Sequence, residues 1–150
     1  MMKAAIVLIL CLVITACTIK EDSTGSKNLS IAQDIVEKVE VYHFHGTNQC
    51  SSCIAVGKLA EETVNTYFAE ELKSGKVAFA HINFDLPENK ELATKYGVTG
   101  SSLWIGVYDQ QGFHPEQNTN VWYKINDKKG YMDYLKGIID EKLGRGFDIG

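Results

Sequence analysis

Two cysteines and two histidines lie close together in the stretch HFHGTNQCSSC, which runs from His43 to Cys53. Cys50 and Cys53 are separated by two residues. Two thiols at this spacing can form a redox-active disulfide, bind a metal ion or link a short loop covalently. The imidazoles of His43 and His45 can exchange a proton near neutral pH or ligate a metal. The sequence on either side of this stretch indicates which chemistry applies.

The N-terminal segment MMKAAIVLILCLVITAC has the features of an export signal. One lysine precedes the apolar run Ala4–Ile14, which is shorter than the ~20 residues of a membrane-spanning helix and has the size of a signal-peptide core. The last four residues, ITAC, resemble the lipobox of bacterial-type lipoproteins, with isoleucine where leucine is usual. The resemblance implies a signal peptide over residues 1–16 and a lipid on the sulfur of Cys17. The alternative is an ordinary cleaved leader with an incidental cysteine.

Only two of the four cysteines then belong to the mature domain. Cys11 lies in the leader and Cys17 is expected to carry the lipid, so Cys50 and Cys53 remain. We expect the protein to lie outside the cytoplasmic membrane, as a lipoprotein anchored on its periplasmic or cell-surface side. Disulfides persist in such compartments.

The rest of the chain is predicted to be a tether and one domain. The lipidated cysteine and the polar run TIKEDSTGSKN, typical of a flexible spacer, make up residues 17–28, and the folded domain takes residues 29–150. The chain is 45% hydrophobic and 23% charged, as in ordinary globular proteins. Its net charge of −4 argues against a nucleic-acid partner.

Hydrophobic periodicity predicts alternating helices and strands over this domain. In order, we predict a helix over Ile31–Lys38, a strand VEVYHFHG, a helix over Ile54–Lys73 ended by Gly75, a strand over Val77–Phe84, a helix from Pro87 through Tyr96 closed by Gly97, a strand SLWIGVYD, a turn at 109–112 with a fourth strand, and a helix over Lys128–Leu143. Strands joined by helices imply parallel pairing, and the final hairpin adds an antiparallel edge. The sequence therefore predicts an α/β fold with a mixed sheet covered by helices on both faces.

Two motifs in this arrangement resemble thioredoxins. The CxxC of Cys50 and Cys53 opens a long helix directly after a strand, and YGVTG at 96–100 is similar to the run that precedes the third core strand of that family. The resemblance covers about Val39–Leu143. It implies a thioredoxin-like fold whose two cysteines form a redox-active disulfide, with no other cofactor. Its partners would be extracytoplasmic protein thiols and disulfides, with an electron donor or acceptor to recharge the pair.

The position of the cysteines supports the same chemistry without the family. A helix N-terminus carries unpaired N–H groups and a positive dipole end, so a thiolate at Cys50 should be favoured and its pKa lowered. Cys53 lies one turn further into the helix and is expected to be more buried. Cys50 would attack as the nucleophile, and Cys53 would resolve the mixed disulfide. A disulfide closing so short a loop constrains little of the unfolded chain, which argues against a purely structural link.

The sequence departs from the thioredoxin pattern at two positions. Ser102 stands where thioredoxins place a substrate-facing cis-proline that also helps to keep metals off the thiols, and we expect a trans bond there. Phe44 stands near the place of a buried acid that assists proton transfer. His43 and His45 flank it on one face of the strand. His45 is nearer the cysteines and is the candidate for proton transfer, whereas His43 is expected to be packed and hydrogen-bonded.

A metal site is the alternative that these residues leave open. Its ligands would be Cys50, Cys53, His45 and His43. Thiolates and imidazoles bind zinc or copper, so the chain could instead be a metal-binding or metal-delivery module. A more distant ligand could be His81, although its mid-strand position predicts a core residue, or His114, which lies in a segment of unclear structure. Because the chain has no second ligand pair at zinc-site spacing, thiol–disulfide exchange is the main prediction.

Overall fold

A computed structural model of the protein describes residues 35–145. The elements in chain order are β1 (Lys38–His45), α1 (Ser51–Tyr67), α2 (Ala69–Ser74), β2 (Val77–Asn83), α3 (Lys90–Tyr96), β3 (Ser102–Asp109), β4 (Gly112–Asn118) and α4 (Lys128–Lys142), with 3-10 turns at Pro87–Asn89 and Asn120–Lys124. Within 35–145, no helix is long and apolar enough to cross a membrane.

The four strands form one mixed sheet in the order β2-β1-β3-β4. β1 pairs in parallel with β2, and β3 pairs antiparallel with both β1 and β4. The α/β class and the antiparallel hairpin are confirmed. The implied parallel pairing is wrong for β3, which follows a helix but runs against β1. α3 has seven residues, about 10 Å at the usual rise, and is too short to return the chain along a strand of about 26 Å.

Alternation along β1 sends its side chains to the two faces of the sheet. Val39 and Val41 face α1 and α4 in one hydrophobic cluster, while Phe44 packs with Tyr96 of α3 on the opposite face. The fully buried members of the larger cluster on the helices are Val56, Ala60, Val64, Tyr131, Leu135 and Ile139. Burying each large aliphatic side chain contributes about 1.5–3 kcal/mol. Helices therefore cover both faces, as predicted.

The predicted helix over 31–38 is wrong where the structure describes it. Residues 35–37 are not helical, and Lys38 begins β1. The backbone N–H of Glu37 already donates to the carbonyl of Tyr108 at 2.7 Å, so pairing with β3 replaces helical hydrogen bonds here. Ile35, expected on the apolar face of that helix, is 65% exposed. Residues 31–34 lie outside the described range.

The other helices begin and end close to their predicted positions. The long helix divides at Phe68, whose backbone leaves the helical region (φ −127°, ψ 29°) while its side chain is buried in the core. Gly75 and Gly97 end α2 and α3 in the left-handed conformation that favours glycine. Asp127 caps α4 by accepting a hydrogen bond from the Gly130 N–H at 2.9 Å.

Candidate redox site

Cys50 and Cys53 form a disulfide at the N-terminus of α1, with their Cα atoms 5.1 Å apart. Cys50 is the N-cap residue, and its Sγ accepts a hydrogen bond from the Cys53 N–H at 3.2 Å. Cys50 is exposed, whereas Cys53 is only 9% exposed. The first turn of α1 contains no acidic residue. The capping N–H and the helix dipole therefore favour negative charge on the Cys50 sulfur, as the sequence predicts.

The loop before the cysteines is held by the end of β2. The Thr47 N–H donates to Asp85 Oδ2 at 2.7 Å, and Asn83 Nδ2 donates to Thr47 Oγ1 at 3.1 Å. The Phe84 N–H donates to the His45 carbonyl at 2.9 Å. These contacts fix the path from β1 to α1 and so fix the position of Cys50.

Three histidines meet beneath α1. His43 and His45 lie on one face of β1, as alternation predicts, with stacked rings whose centroids are 5.4 Å apart. His81 is the register partner of His43 on the neighbouring strand β2. The Nδ1 atoms of His43 and His81 are 3.0 Å apart, so one donates a hydrogen bond to the other. On the outer side, His81 Nε2 lies 3.4 Å from Glu61 Oε2 of α1.

His43 is the buried member of this group. It is 1% exposed, and its Nε2 has no hydrogen-bond partner. Burial, reinforced by the neighbouring His81 and His45 rings, lowers the pKa of His43 to about 4, against the opposing effect of the Cys53 backbone. A Cβ on Gly57 would lie 2.4 Å from His43 Nδ1, so only glycine leaves room for this ring. The expectation of a packed, hydrogen-bonded His43 holds for one ring nitrogen only.

The histidines line an open cleft of about 290 Å³ beside the disulfide. Its walls are formed by His43, His45, Gln49, Ile54, Lys58, Glu61 and His81. His81, predicted to be a core residue, has 37% of its side chain exposed, and Glu61 has 49% exposed. Sequence reasoning named His81 only as a distant ligand in the metal alternative and missed Glu61. The pairing register of β1 and β2, which brings His81 beside His43, was the missing signal.

The remaining predicted site residues lie elsewhere or have other contacts. His45 Nδ1 is hydrogen-bonded to the Gly46 carbonyl at 2.9 Å. Ser102 is buried, and its hydroxyl donates to the Gly100 carbonyl and accepts from Trp104 Nε1, both at 2.8 Å. No cis peptide bond occurs within the described range. The substrate-facing role of Ser102 and the proton-transfer role of His45 stay predictions.

The metal alternative lacks a formed ligand set in the part of the chain that the structure covers. No group of three or more His, Cys, Asp or Glu side chains there is arranged to hold a metal ion. Cys50 and Cys53 are bonded to each other. Cys17, the predicted lipidation site, lies outside the described residues.

The architecture is a mixed four-stranded sheet flanked by helices, with CxxC at the start of α1. Comparison with solved structures finds the Trx4 domain of ERdj5, at 16% identity and a TM-score of 0.47, over 70% of this chain and 82% of that one. It also finds a thioredoxin from Thermus thermophilus, at 15% identity and a TM-score of 0.44, over 75% of this chain and 84% of that one. Models of known families and individually curated proteins gave no match.

Proposed function

We propose that this protein is an extracytoplasmic, membrane-tethered thiol–disulfide oxidoreductase that uses the Cys50–Cys53 pair. The observation that carries the proposal is the asymmetry of the two sulfurs. Cys50 is exposed and capped by a backbone N–H, whereas Cys53 is nearly buried one turn further along α1. One sulfur can meet a partner protein, and the other can reach only its neighbour.

This asymmetry fits a two-step exchange. In the reducing direction, the Cys50 thiolate attacks a partner disulfide, forms a mixed disulfide and releases one partner thiolate. Cys53 then gives up its proton and attacks the Cys50 sulfur, which forms the Cys50–Cys53 disulfide and releases the second partner thiolate. The partner gains two electrons and the dithiol loses two. The oxidising direction is the reverse, and a donor or acceptor of electrons in the same compartment must recharge the pair.

Attachment to the membrane is the second part of the proposal, and it is supported by the leader sequence. The ITAC run and the polar spacer after it are the features of a lipid-anchored chain. A single lipid-modified end would keep the domain near the membrane surface, where it could meet exported proteins. Metabolic labelling with a fatty-acid analogue should mark the wild-type protein but not Cys17→Ser. Equal labelling of the two would refute the anchor.

Catalysed insulin reduction tests the redox activity. The protein carrying Cys11→Ser and Cys17→Ser, which removes the two thiols outside the CxxC pair, should accelerate insulin reduction by dithiothreitol, and adding Cys50→Ser should abolish the acceleration. Thiol counting should find two free thiols after reduction and none after oxidation. A stoichiometric metal that is lost in Cys50→Ser or His45→Ala, with no insulin reduction, would contradict the proposal and favour a metal-binding module.

A further inference from the structure

The buried imidazole of His43 packs against the redox helix α1 and has one nitrogen without a hydrogen-bond partner. Its Nε2 is buried without a hydrogen-bond partner in the oxidised protein. An unsatisfied buried polar atom costs about 1–3 kcal/mol and calls for an explanation. The ring packs against Gly57, which lies one helical turn after Cys53 on the same face of α1. The Cys53 backbone also lies close enough to the His43 imidazole to oppose the lowering of its pKa by burial. His43 therefore lies close to the backbone of the resolving cysteine.

The other nitrogen of His43 begins a chain of contacts that ends in solvent. His43 Nδ1 lies 3.0 Å from His81 Nδ1, and His81 Nε2 lies 3.4 Å from Glu61 Oε2. Exposure rises along this chain: His43 is 1% exposed, while the His81 and Glu61 side chains are 37% and 49% exposed. The three groups thus connect the buried end of the redox site to water.

A single set of tautomers satisfies this chain. The Glu61 carboxylate can only accept, so His81 Nε2 carries the proton and His81 Nδ1 is an acceptor. His43 Nδ1 must then donate to His81, which leaves His43 Nε2 as a bare lone pair. This assignment explains why Nε2 has no partner while the disulfide is closed, because the closed pair has no S–H to donate. Reduction supplies a Cys53 thiol that can.

We propose that His43, His81 and Glu61 form a proton relay that carries the Cys53 proton between the buried thiol and solvent. The inference rests on the proposed thiol–disulfide exchange and deepens it. As the Cys53 sulfur attacks Cys50, its proton passes to His43 Nε2, the His43 Nδ1 proton passes to His81, and the His81 Nε2 proton passes to Glu61 or water. Because Nε2 carries no proton while the disulfide is closed, the relay is proposed for the reducing direction, in which the Cys53 thiol loses its proton.

A relay suits this site better than a base that stores the proton. A charge held on His43 would be buried beside the rings of His45 and His81, and burial disfavours it. The Cys53 backbone offsets only part of that cost. The proton must therefore be passed on as it arrives. Besides the three histidines, the charged residues that line the cleft are Lys58 and Glu61 of α1.

Stopped-flow reaction of the reduced protein with 5,5′-dithiobis(2-nitrobenzoate) separates the two steps. The first thionitrobenzoate is released when Cys50 attacks the reagent, and the second when Cys53 attacks Cys50. We expect His43→Gln to slow the second release about 100-fold at pH 7, because a positioned acid–base group contributes about 10²–10⁴. His81→Gln should slow the second release by about tenfold, since water can partly replace an exposed ring. The first release should stay within about twofold in both variants, as Cys50 keeps its own stabilisation at the helix terminus.

The pH profile distinguishes a relay from a packing role. Without the relay, only preformed Cys53 thiolate reacts, so the second-phase rate should fall about tenfold per pH unit below the thiol pKa. The wild-type rate should fall less steeply between pH 6 and 8. His114→Gln is the matched control, because His114 also pairs with a carboxylate, Asp109, at 3.0 Å but lies on β4. His81→Gln alters an exposed residue and keeps the test valid if His43→Gln does not fold.

Failure of the relay and failure of the proposed function give different traces. A wild-type protein that never releases the second thionitrobenzoate would refute the oxidoreductase itself. A normal second phase in wild type, His43→Gln and His81→Gln, with the same pH slope, would refute the relay alone. Slowing in His45→Gln but not in His43→Gln would also overturn it, because His45 would then be the proton acceptor.

Discussion

The two faces of β1 carry buried polar groups that differ in how completely they are paired. On the α3 face, Glu40 is 6% exposed and accepts hydrogen bonds from Lys38 at 2.8 Å, Tyr96 at 2.7 Å and Tyr108 at 3.1 Å. On the α1 face, His43 is 1% exposed but keeps one nitrogen unpartnered. We call Glu40 and its three donors the Glu40 network. We call His43, His81 and Glu61 the histidine chain.

The difference separates a structural polar cluster from one available for chemistry. Although burial alone would raise it, hydrogen bonds from Lys38 and Tyr96 hold the pKa of Glu40 below its ordinary value. The Glu40 charge is thus paired with hydrogen-bond donors. Burial, together with the neighbouring Glu40 carboxylate, raises the pKa of Tyr96. A fully satisfied network specifies a fold, whereas an open acceptor beside a redox disulfide can take a proton.

The largest expected effect concerns the pH dependence of folding stability. Folding lowers the pKa of His43 from 6.5 to about 4, so between these values the unfolded chain binds a proton that the folded protein does not. Burial of neutral His43 therefore makes the free energy of unfolding depend on pH. It falls by about 3 kcal/mol as the pH decreases from 6.5 to 4, and this loss is absent above pH 6.5. Urea unfolding of wild type and His43→Gln from pH 4 to 7.5 should therefore give a shallower curve for the variant.

Subtracting the two curves removes the carboxylates that titrate in the same range. The control His114→Gln replaces an imidazole that is 52% exposed and should follow the wild-type curve within about 0.5 kcal/mol. Parallel curves for wild type and His43→Gln would mean that His43 is not buried in its neutral form.

A pair of glycine substitutions tests each face separately. A Cβ on Gly57 would lie 2.4 Å from His43 Nδ1, and one on Gly106 would lie 2.3 Å from the Tyr96 hydroxyl. Such crowding costs about 1–3 kcal/mol, so we expect Gly106→Ala to lose about 2 kcal/mol. Gly57→Ala should lose less, because alanine is favoured over glycine in a helix by about 1 kcal/mol. Thermal or urea unfolding measures both.

The two variants should differ in exchange kinetics. Gly57→Ala displaces the imidazole and should slow release of the second thionitrobenzoate, whereas Gly106→Ala should leave both phases unchanged. Gly100→Ala is the control, because a Cβ there meets nothing within 4 Å. Slow second phases in both Gly57→Ala and Gly106→Ala would contradict the separation of the two faces.

Tyr96→Phe is expected to destabilise the protein less than Gly106→Ala does. The substitution removes the 2.7 Å hydrogen bond to Glu40 but keeps the ring. Lys38 and Tyr108 still donate hydrogen bonds to the Glu40 carboxylate. The loss of one hydrogen bond to a charged group should cost about 1.5 kcal/mol in urea unfolding. Thiol exchange should be unchanged at every pH. A changed second-phase rate would show that the Glu40 network reaches the redox site.

Local sequence signals predicted most of the fold. Glycine and proline marked the ends of α2 and α3, alternation marked the strands, and CxxC marked the start of α1. Besides the parallel pairing of β3, two predictions failed because tertiary contacts decided them. Glu37 pairs with β3 rather than continuing a helix, and Phe68 breaks the long helix to bury its ring.

The site was predicted in part for the same reason. Cys50, Cys53 and the shared face of His43 and His45 follow from spacing within one segment. The role of His81 depends on how β1 and β2 align, and no local pattern specifies that register. From the sequence alone, Glu61 is a charged residue on the solvent-exposed face of a helix. Its closeness to His81 follows only from the strands beneath that helix.

Trapping the mixed disulfide tests the central claim most directly. The reduced Cys53→Ser protein should form a stable covalent adduct with a peptide disulfide, and mass spectrometry should place the peptide on Cys50. Cys50→Ser should give no adduct, because the remaining Cys53 sulfur is nearly buried. An adduct on Cys53, or none in either variant, would contradict the assignment of Cys50 as the nucleophile of a redox-active pair.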